Sequence, residues 1–288
     1  MDSKSFSNQK LDSALARKFA RRAGDGRFRT PEEAMKALVT RLRSDTRRAG
    51  SVEEQMRRAL RRRHVRSVKG VRGAANLGHI EPLGLSYSEG FRVCLATDTS
   101  VARMRFTLAH ELCHTFFYEL VPEIKFAPHD TDPVEERLCN IGAAEMLMPF
   151  RSVTRDAKSM PVRLDSLAEL ARKYSVSLAA MFIRLNSIGL WKCELSTWYR
   201  LTNGSFALAN YYGGTSRPWE WDDKSILRSA WLTNRLSYGQ AYVKFKDDRG
   251  TNRFKSTPYE AGRFGQQVLA LWGIDIDTPT REYPLLRS

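Results

Sequence analysis

Apolar residues recur at helical spacing at Leu11, Leu15 and Phe19, then at Met35, Leu38, Val39 and Leu42, then at Val52, Met56 and Leu60. This predicts a series of short amphipathic helices over residues 1–70. Thr30 with Pro31 and Glu33, and Ser51 with Glu54, read as capping boxes, in which the hydroxyl accepts from a free backbone N–H and the glutamate reaches back. Large apolar residues are too few here for a separate core, so the segment must pack on a neighbour or stay partly mobile. From Val71 the pattern shifts to short β-like runs, notably Phe91 to Ala96, and then to two strongly patterned helices. The first is expected from about Ser100 to Glu119, with Ala109, Leu112, Cys113 and Phe116 as its apolar stripe. The second starts with Asp132 as N-cap, Pro133 in the first turn and Glu135 three residues after the cap, and ends before Pro149. A loop carrying Pro122, Pro128, His129 and Asp130 joins them.

Residues 163–190 read as two helices about a tight turn at Tyr174 to Ser177, with Gly189 closing the second. The spacing is that of a helix-turn-helix, although a hairpin that completes the core gives the same pattern. Residues 191–288 are aromatic-rich and β-biased. Asn203-Gly204 marks one hairpin, Asp247 to Gly250 a second, and helices are expected near 224–235 and 258–272. The sum is an α+β chain: a basic helical segment over 1–70, a core over 71–160, a helical pair over 161–190 and a small α+β domain over 191–288.

Composition narrows this reading. The 288 residues are 42% hydrophobic and 27% charged, which excludes a mostly disordered chain. No membrane-length apolar run occurs and Met1 to Lys10 is polar, so a cytoplasmic location without membrane contact is expected. Cys94, Cys113, Cys139 and Cys193 are widely spaced and are expected to be buried, reduced thiols. Of the net charge of +15, residues 1–73 supply +13, from 21 Lys/Arg against 8 Asp/Glu. Arg57, Arg58, Arg61, Arg62, Arg63 and Arg66 form a cluster that could steer nucleic acid or an acidic protein surface, or simply stay solvated.

The chemistry lies in His110-Glu111-Leu112-Cys113-His114. Residues i and i+4 share a helix face, so both imidazoles can converge on one ion, while Glu111 lies about 100° further round, where it can reach an attacking water without ligating the metal. A catalytic zinc site needs a third protein ligand. A histidine six residues after His114 would make this a metzincin, but Leu120 stands there. The nearby choices are His129 and a carboxylate of the next helix, of which Glu136 is the better candidate because Asn140 follows one turn later and can orient a ligand. His129 and Tyr118 are the side chains near enough in sequence to stabilise an oxyanion. His64 and His79 have no partner pattern.

Arg105-Phe106-Thr107-Leu108-Ala109-His110-Glu111-Leu112-Cys113-His114, followed by Glu136-Arg137-Leu138-Cys139-Asn140-Ile141-Gly142-Ala143-Ala144-Glu145-Met146-Leu147-Met148-Pro149, resembles the paired motif of the ImmA/IrrE metallo-endopeptidases, RFTLAHELGH and ExxANxFAAxLLMP. The likeness covers about residues 75–190. It implies a zincin-like core, a zinc or manganese ion held by His110, His114 and Glu136, and Glu111 as general base. It also implies a protein substrate, typically a helix-turn-helix transcriptional repressor whose cleavage releases a stress or transfer programme. Cys113 replaces a glycine of the pattern, Gly142 an aromatic residue and Cys139 an alanine, so local packing must differ. Small residues at a close helix contact account for both cysteines. The competing expectation is a non-proteolytic regulatory protein with a structural metal site, binding nucleic acid or a partner; an intact Glu111 argues against it.

Overall fold

The computed structural model of the chain describes residues 14–24, 26–46, 52–71, 77–97, 99–121, 132–162, 164–191, 194–201, 206–212, 236–247, 250–255 and 282–284, those beyond 191 by backbone alone. The elements run α1 (Ala14–Gly24), α2 (Pro31–Thr46), α3 (Val52–Arg62), β1 (Val65–Val71), β2 (Gly78–Pro82), β3 (Phe91–Ala96), α4 (Val101–Leu120), α5 (Pro133–Leu147), α6 (Phe150–Lys158), α7 (Leu164–Lys173), α8 (Leu178–Ser187), β4 (Glu194–Leu201), β5 (Phe206–Tyr212), β6 (Leu236–Asp247), β7 (Gly250–Lys255) and β8 (Glu282–Pro284). This is an α+β chain. It divides into one unit of Met1–Thr97, Met104–Leu147 and Gln266–Ser288, and another of Asp98–Arg103 and Met148–Gly265.

In the first unit the sheet order is β2-β3-β1-β8, with β3 parallel to β1 and the outer strands antiparallel to their neighbours. Phe91, Val93, Cys94, Leu95 and Ala96 of β3 are all buried, the near-continuous apolar run of a strand covered on both faces. His64, at φ 59°, turns the chain out of α3 into β1. Gly90 closes the turn before β3 at φ 94°, where a Cβ would stand 2.5 Å from the His64 carbonyl oxygen, so this position needs glycine.

The stripe predicted on α4 is its core face: Ala109, Leu112, Cys113 and Phe116 are buried. Phe117 stacks on Phe19 of α1 at 4.3 Å, and α2 packs on α1 and α5. Helices α1 and α2 thus pack against α4 and α5, which carry the histidines and Glu136. At Thr30 the hydroxyl accepts from Glu33 N at 3.2 Å, but Glu33 reaches back to Arg29 N instead of Thr30 N. Much of the arginine cluster is committed to neighbours. Arg57 and Arg58 share Glu54, Arg62 pairs with Asp45, and Arg63 is buried against Thr115, Glu119 and the Phe116 ring.

Two departures from the family pattern meet at one point. A Cβ on Gly142 would lie 2.5 Å from Cys113 Sγ and 3.0 Å from Met35 Sδ. The space that a side chain at 142 would take is filled by Cys113 of α4 and Met35 of α2, and the helix contact stays close-packed.

In the second unit α7 and α8 form the expected pair. Ser175 takes φ 53° in the turn, Ser177 Oγ accepts from Ala180 N at 3.1 Å, and Gly189 takes φ 71° after α8. Leu167, Leu170, Met181, Phe182 and Leu185 are buried. Asp156 accepts from Tyr174 Oη at 2.7 Å and pairs with Lys173 at 2.8 Å, which holds its carboxyl down at about 2. A second sheet, β5-β4-β6-β7, is antiparallel throughout. The Asn203-Gly204 turn and the helices expected at 224–235 and 258–272 lie outside the described residues, as do Ser51, Cys193 and His129. Among the described residues no helix is long and apolar enough to cross a membrane.

Candidate metal centre

The two helices that carry the site begin as their sequences dictate. Ser100 Oγ accepts from Arg103 N at 3.2 Å ahead of α4, and Asp132 Oδ1 accepts from Val134 N at 2.8 Å at the start of α5. Arg105 pairs with Glu53, tying the first turns of α4 to α3.

His110 and His114 lie one turn apart on α4 with ring centroids 5.0 Å apart. Their Nε2 atoms approach to 3.2 Å, and the Glu136 carboxylate stands 3.1 Å from His110 Nε2 and 3.4 Å from His114 Nε2. Behind them, His114 Nδ1 is 2.7 Å from Glu135 Oε1 and His110 Nδ1 is 3.1 Å from Asn140 Oδ1. An ionised carboxylate can only accept, so His114 Nδ1 carries the proton. With the Asn140 amide oriented to present Oδ1, the same holds for His110. Both Nε2 atoms then turn lone pairs, together with the Glu136 carboxylate, towards one point. Three lone pairs so placed repel unless a cation lies between them. Ligand atoms about a tetrahedral ion with bonds of roughly 2.0–2.1 Å stand about 3.3–3.4 Å apart. The observed triangle fits that size.

Titration behaviour points the same way. Burial opposes a charge on His114, yet Cys139, Glu135 and Glu136 outweigh it and raise its pKa well above the ordinary imidazole value. The two imidazoles beside it hold the Glu136 carboxyl far below the usual carboxylate range. A positive charge is wanted at the centre of this triangle. Glu111 is only 5% exposed, and burial raises its pKa, against a smaller lowering effect of the two histidines. A carboxylate moved up in this direction is a better proton acceptor. It abuts the edge of the sheet, since a Cβ on Gly78 would meet Glu111 Oε1 at 3.3 Å and Thr107 Cγ2 at 2.4 Å.

The structure therefore brings together His110, His114, Glu136, Glu111 and Asn140. Tyr118 stacks on Phe91 at 5.2 Å, and burial pushes its hydroxyl up to about 12. Sequence reasoning missed Glu135. It reads as the capping-box glutamate of α5, but its carboxylate goes to His114 instead. A signal was available in its place directly before Glu136, on a helix turn that faces the histidines. Cys113 and Cys139 are buried, with both thiols raised by burial, so neither is an activated nucleophile.

Residues 75–186 match the family model described as the IrrE N-terminal-like domain, Peptidase_M78. The ImmA/IrrE resemblance of the two helix motifs is thereby shown: the stretch holding His110, His114 and Glu136 is similar to the IrrE N-terminal-like domain. The radiation response metalloprotease IrrE of Deinococcus deserti is 34% identical over 88 residues, 29% of this chain and 31% of that protein. The chain thus spans about a third of the length of that relative. A solved structure of a Mycobacterium tuberculosis transcriptional regulator aligns over 84% of this chain and 78% of its own at 13% identity and a TM-score of 0.42, too slight a likeness to define a fold.

Proposed function

We propose that the protein is a metal-dependent endopeptidase with a zincin-like core, in which His110, His114 and Glu136 hold a zinc ion, or manganese in its place, and Glu111 is the general base. The observation that carries this reading is the triangle of two imidazole nitrogens and one carboxylate, 3.1 to 3.4 Å on a side, with both Nδ1 atoms already engaged. A divalent ion held there supplies Lewis acidity, which polarises a scissile carbonyl and makes water a nucleophile near neutral pH. Glu111 takes the proton of the attacking water and returns it to the leaving amine, a role that suits a buried carboxyl with a raised pKa. Glu135 and Asn140 fix the tautomer and tilt of the two imidazoles, so that both Nε2 atoms face the ion throughout.

The substrate is an intracellular protein, a helix-turn-helix transcriptional repressor on the strength of the family resemblance. The basic helices α1 to α3 are the candidate for nucleic-acid contact near such a repressor, and salt-sensitive co-purification of nucleic acid tests that role. The test of the main reading is a proteome-wide comparison of new protein N-termini in cells expressing the wild type or Glu111→Gln. A cut made by the wild type alone is expected and identifies the substrate. Identical N-termini, with metal bound in both proteins and stress applied, contradict the proposal and favour a regulatory protein with a structural metal.

A further inference from the structure

A second set of metal-ligating side chains lies on the sheet, apart from the helix-borne triangle. β2 and β3 are antiparallel, with His79 directly opposite Cys94 and Glu81 directly opposite Arg92. Alternate residues of a strand share a face, so these four side chains form one block on the side opposite Gly78 and Ile80. Gly78 points at Thr107 of α4, so the block faces away from that helix. Within it His79 Nε2 is 2.8 Å from Glu81 Oε1, and Cys94 Sγ is 3.5 Å from the same oxygen. The three ligand atoms all lie within 4.8 Å of one another.

We propose that His79, Glu81 and Cys94 form a second transition-metal site, selective for zinc-class ions. An ion with bonds of about 2.0 Å to nitrogen and oxygen and about 2.3 Å to sulfur separates its ligands by roughly 3.3 to 3.6 Å. Small side-chain rotations bring the three atoms to that spacing, because the strand register has already set their backbones. The imidazole–carboxylate–thiol set is too soft for calcium or magnesium and suits zinc, cobalt or copper. Arg92 Nη1 donates to Glu81 Oε2 at 3.2 Å, which orients the carboxylate so that Oε1 faces the other two ligands. Cys94 is 3% exposed and closes the inner side, whereas the His79 and Glu81 side chains are 44% and 36% exposed and leave a coordination position to solvent. The thiol must give up its proton as the ion binds, and the Arg92 charge opposes the cation. This predicts an exchangeable site, weaker than the helix-borne one, in which each ion bound releases one proton from Cys94 to solvent.

The test is a cobalt titration of the full chain after metal removal, read by the sulfur-to-cobalt absorption in the near ultraviolet and by bound metal per chain. The wild type is expected to take two equivalents and to show the thiolate band. Cys94→Ser should take one equivalent and lose the band, whereas His79→Gln, at a half-exposed position, should need at least tenfold more cobalt to saturate it. His110→Ala should lose the other equivalent and keep the band, and Cys139→Ala should keep both, so failure here is separable from failure of the peptidase reading. Absence of the thiolate band from both the wild type and His110→Ala overturns the proposal. So does a second equivalent that survives both His79→Gln and Cys94→Ser.

Discussion

His110, His114 and Glu136 come together because helical periodicity places two of them one turn apart and helix packing brings the third across from α5. His79, Glu81 and Cys94 come together because an antiparallel register sets them side by side. The helix cluster is held from behind at every imidazole, by Glu135 and Asn140, and is flanked by the buried Glu111. The strand cluster has Arg92 behind its carboxylate, and its histidine is half-exposed. Supporting contacts of the first kind preorganise a site for chemistry, while those of the second kind leave it able to bind and release.

The sharpest break between the two is chemical. Glu111→Gln should lower peptide hydrolysis by roughly 10²–10⁴-fold, the typical weight of a general base, with the metal content of the helix cluster unchanged. His79→Gln should leave hydrolysis as it is. Metal analysis beside a peptide-cleavage assay checks both, and loss of metal in Glu111→Gln would mean that its carboxylate is a ligand.

Next in size is the support behind the histidines. Glu135→Ala should weaken metal binding at the helix cluster by about 10–100-fold, with a smaller loss for Asn140→Ala, since Asn140 is exposed and Glu135 is buried. Competition against a chelator of known affinity gives the ranking, and a larger loss at Asn140 would reverse it.

The clusters should also differ in their response to acid. Burial pushes the Cys94 thiol up to about 12, so at neutral pH it is protonated and an arriving ion must displace that proton. Metal affinity of the strand cluster should therefore rise by about tenfold per pH unit between roughly pH 7.5 and 9, where an ordinary imidazole is already neutral and the thiol alone gives up a proton. Cobalt titrations of His110→Ala across that range isolate this dependence. A flat response would show that the thiol is not a ligand.

What could be read from the chain alone follows the same division. The α4 stripe, the motif histidines and the Asp132 cap depend on spacings within one element, so they were legible, and β3 stood out as an apolar run. Val65–Val71, rich in polar residues and holding Gly70, becomes a strand because β3 and β8 pair with it on either side. The five residues of β2 include Gly78 and Pro82, weak strand formers whose place depends on β3. Glu135 was legible as a capping residue, but its approach to His114 needs the packing of α5 on α4. His79 reads as an ordinary histidine in the sequence because Cys94, opposite it in the sheet, lies on another strand. Cys113 and Gly142 looked like separate departures from the motif, and only the helix contact shows them as one exchange of volume.

That exchange gives the smallest predicted effect. Gly142→Ala should lower stability by about 1–3 kcal/mol through overpacking against Cys113, and by less in a Cys113→Ala background. Urea unfolding of the single and double variants measures the coupling, and equal losses in both backgrounds would show that the two positions are independent.

The proposed peptidase depends on a metal ion among His110, His114 and Glu136. The most direct measurement is anomalous X-ray scattering at the zinc edge from crystals of the full chain grown with one equivalent of zinc. The account predicts the strongest peak within bonding distance of the two Nε2 atoms and the Glu136 carboxylate. A strongest peak anywhere else, or density at that point without an anomalous signal, would contradict it.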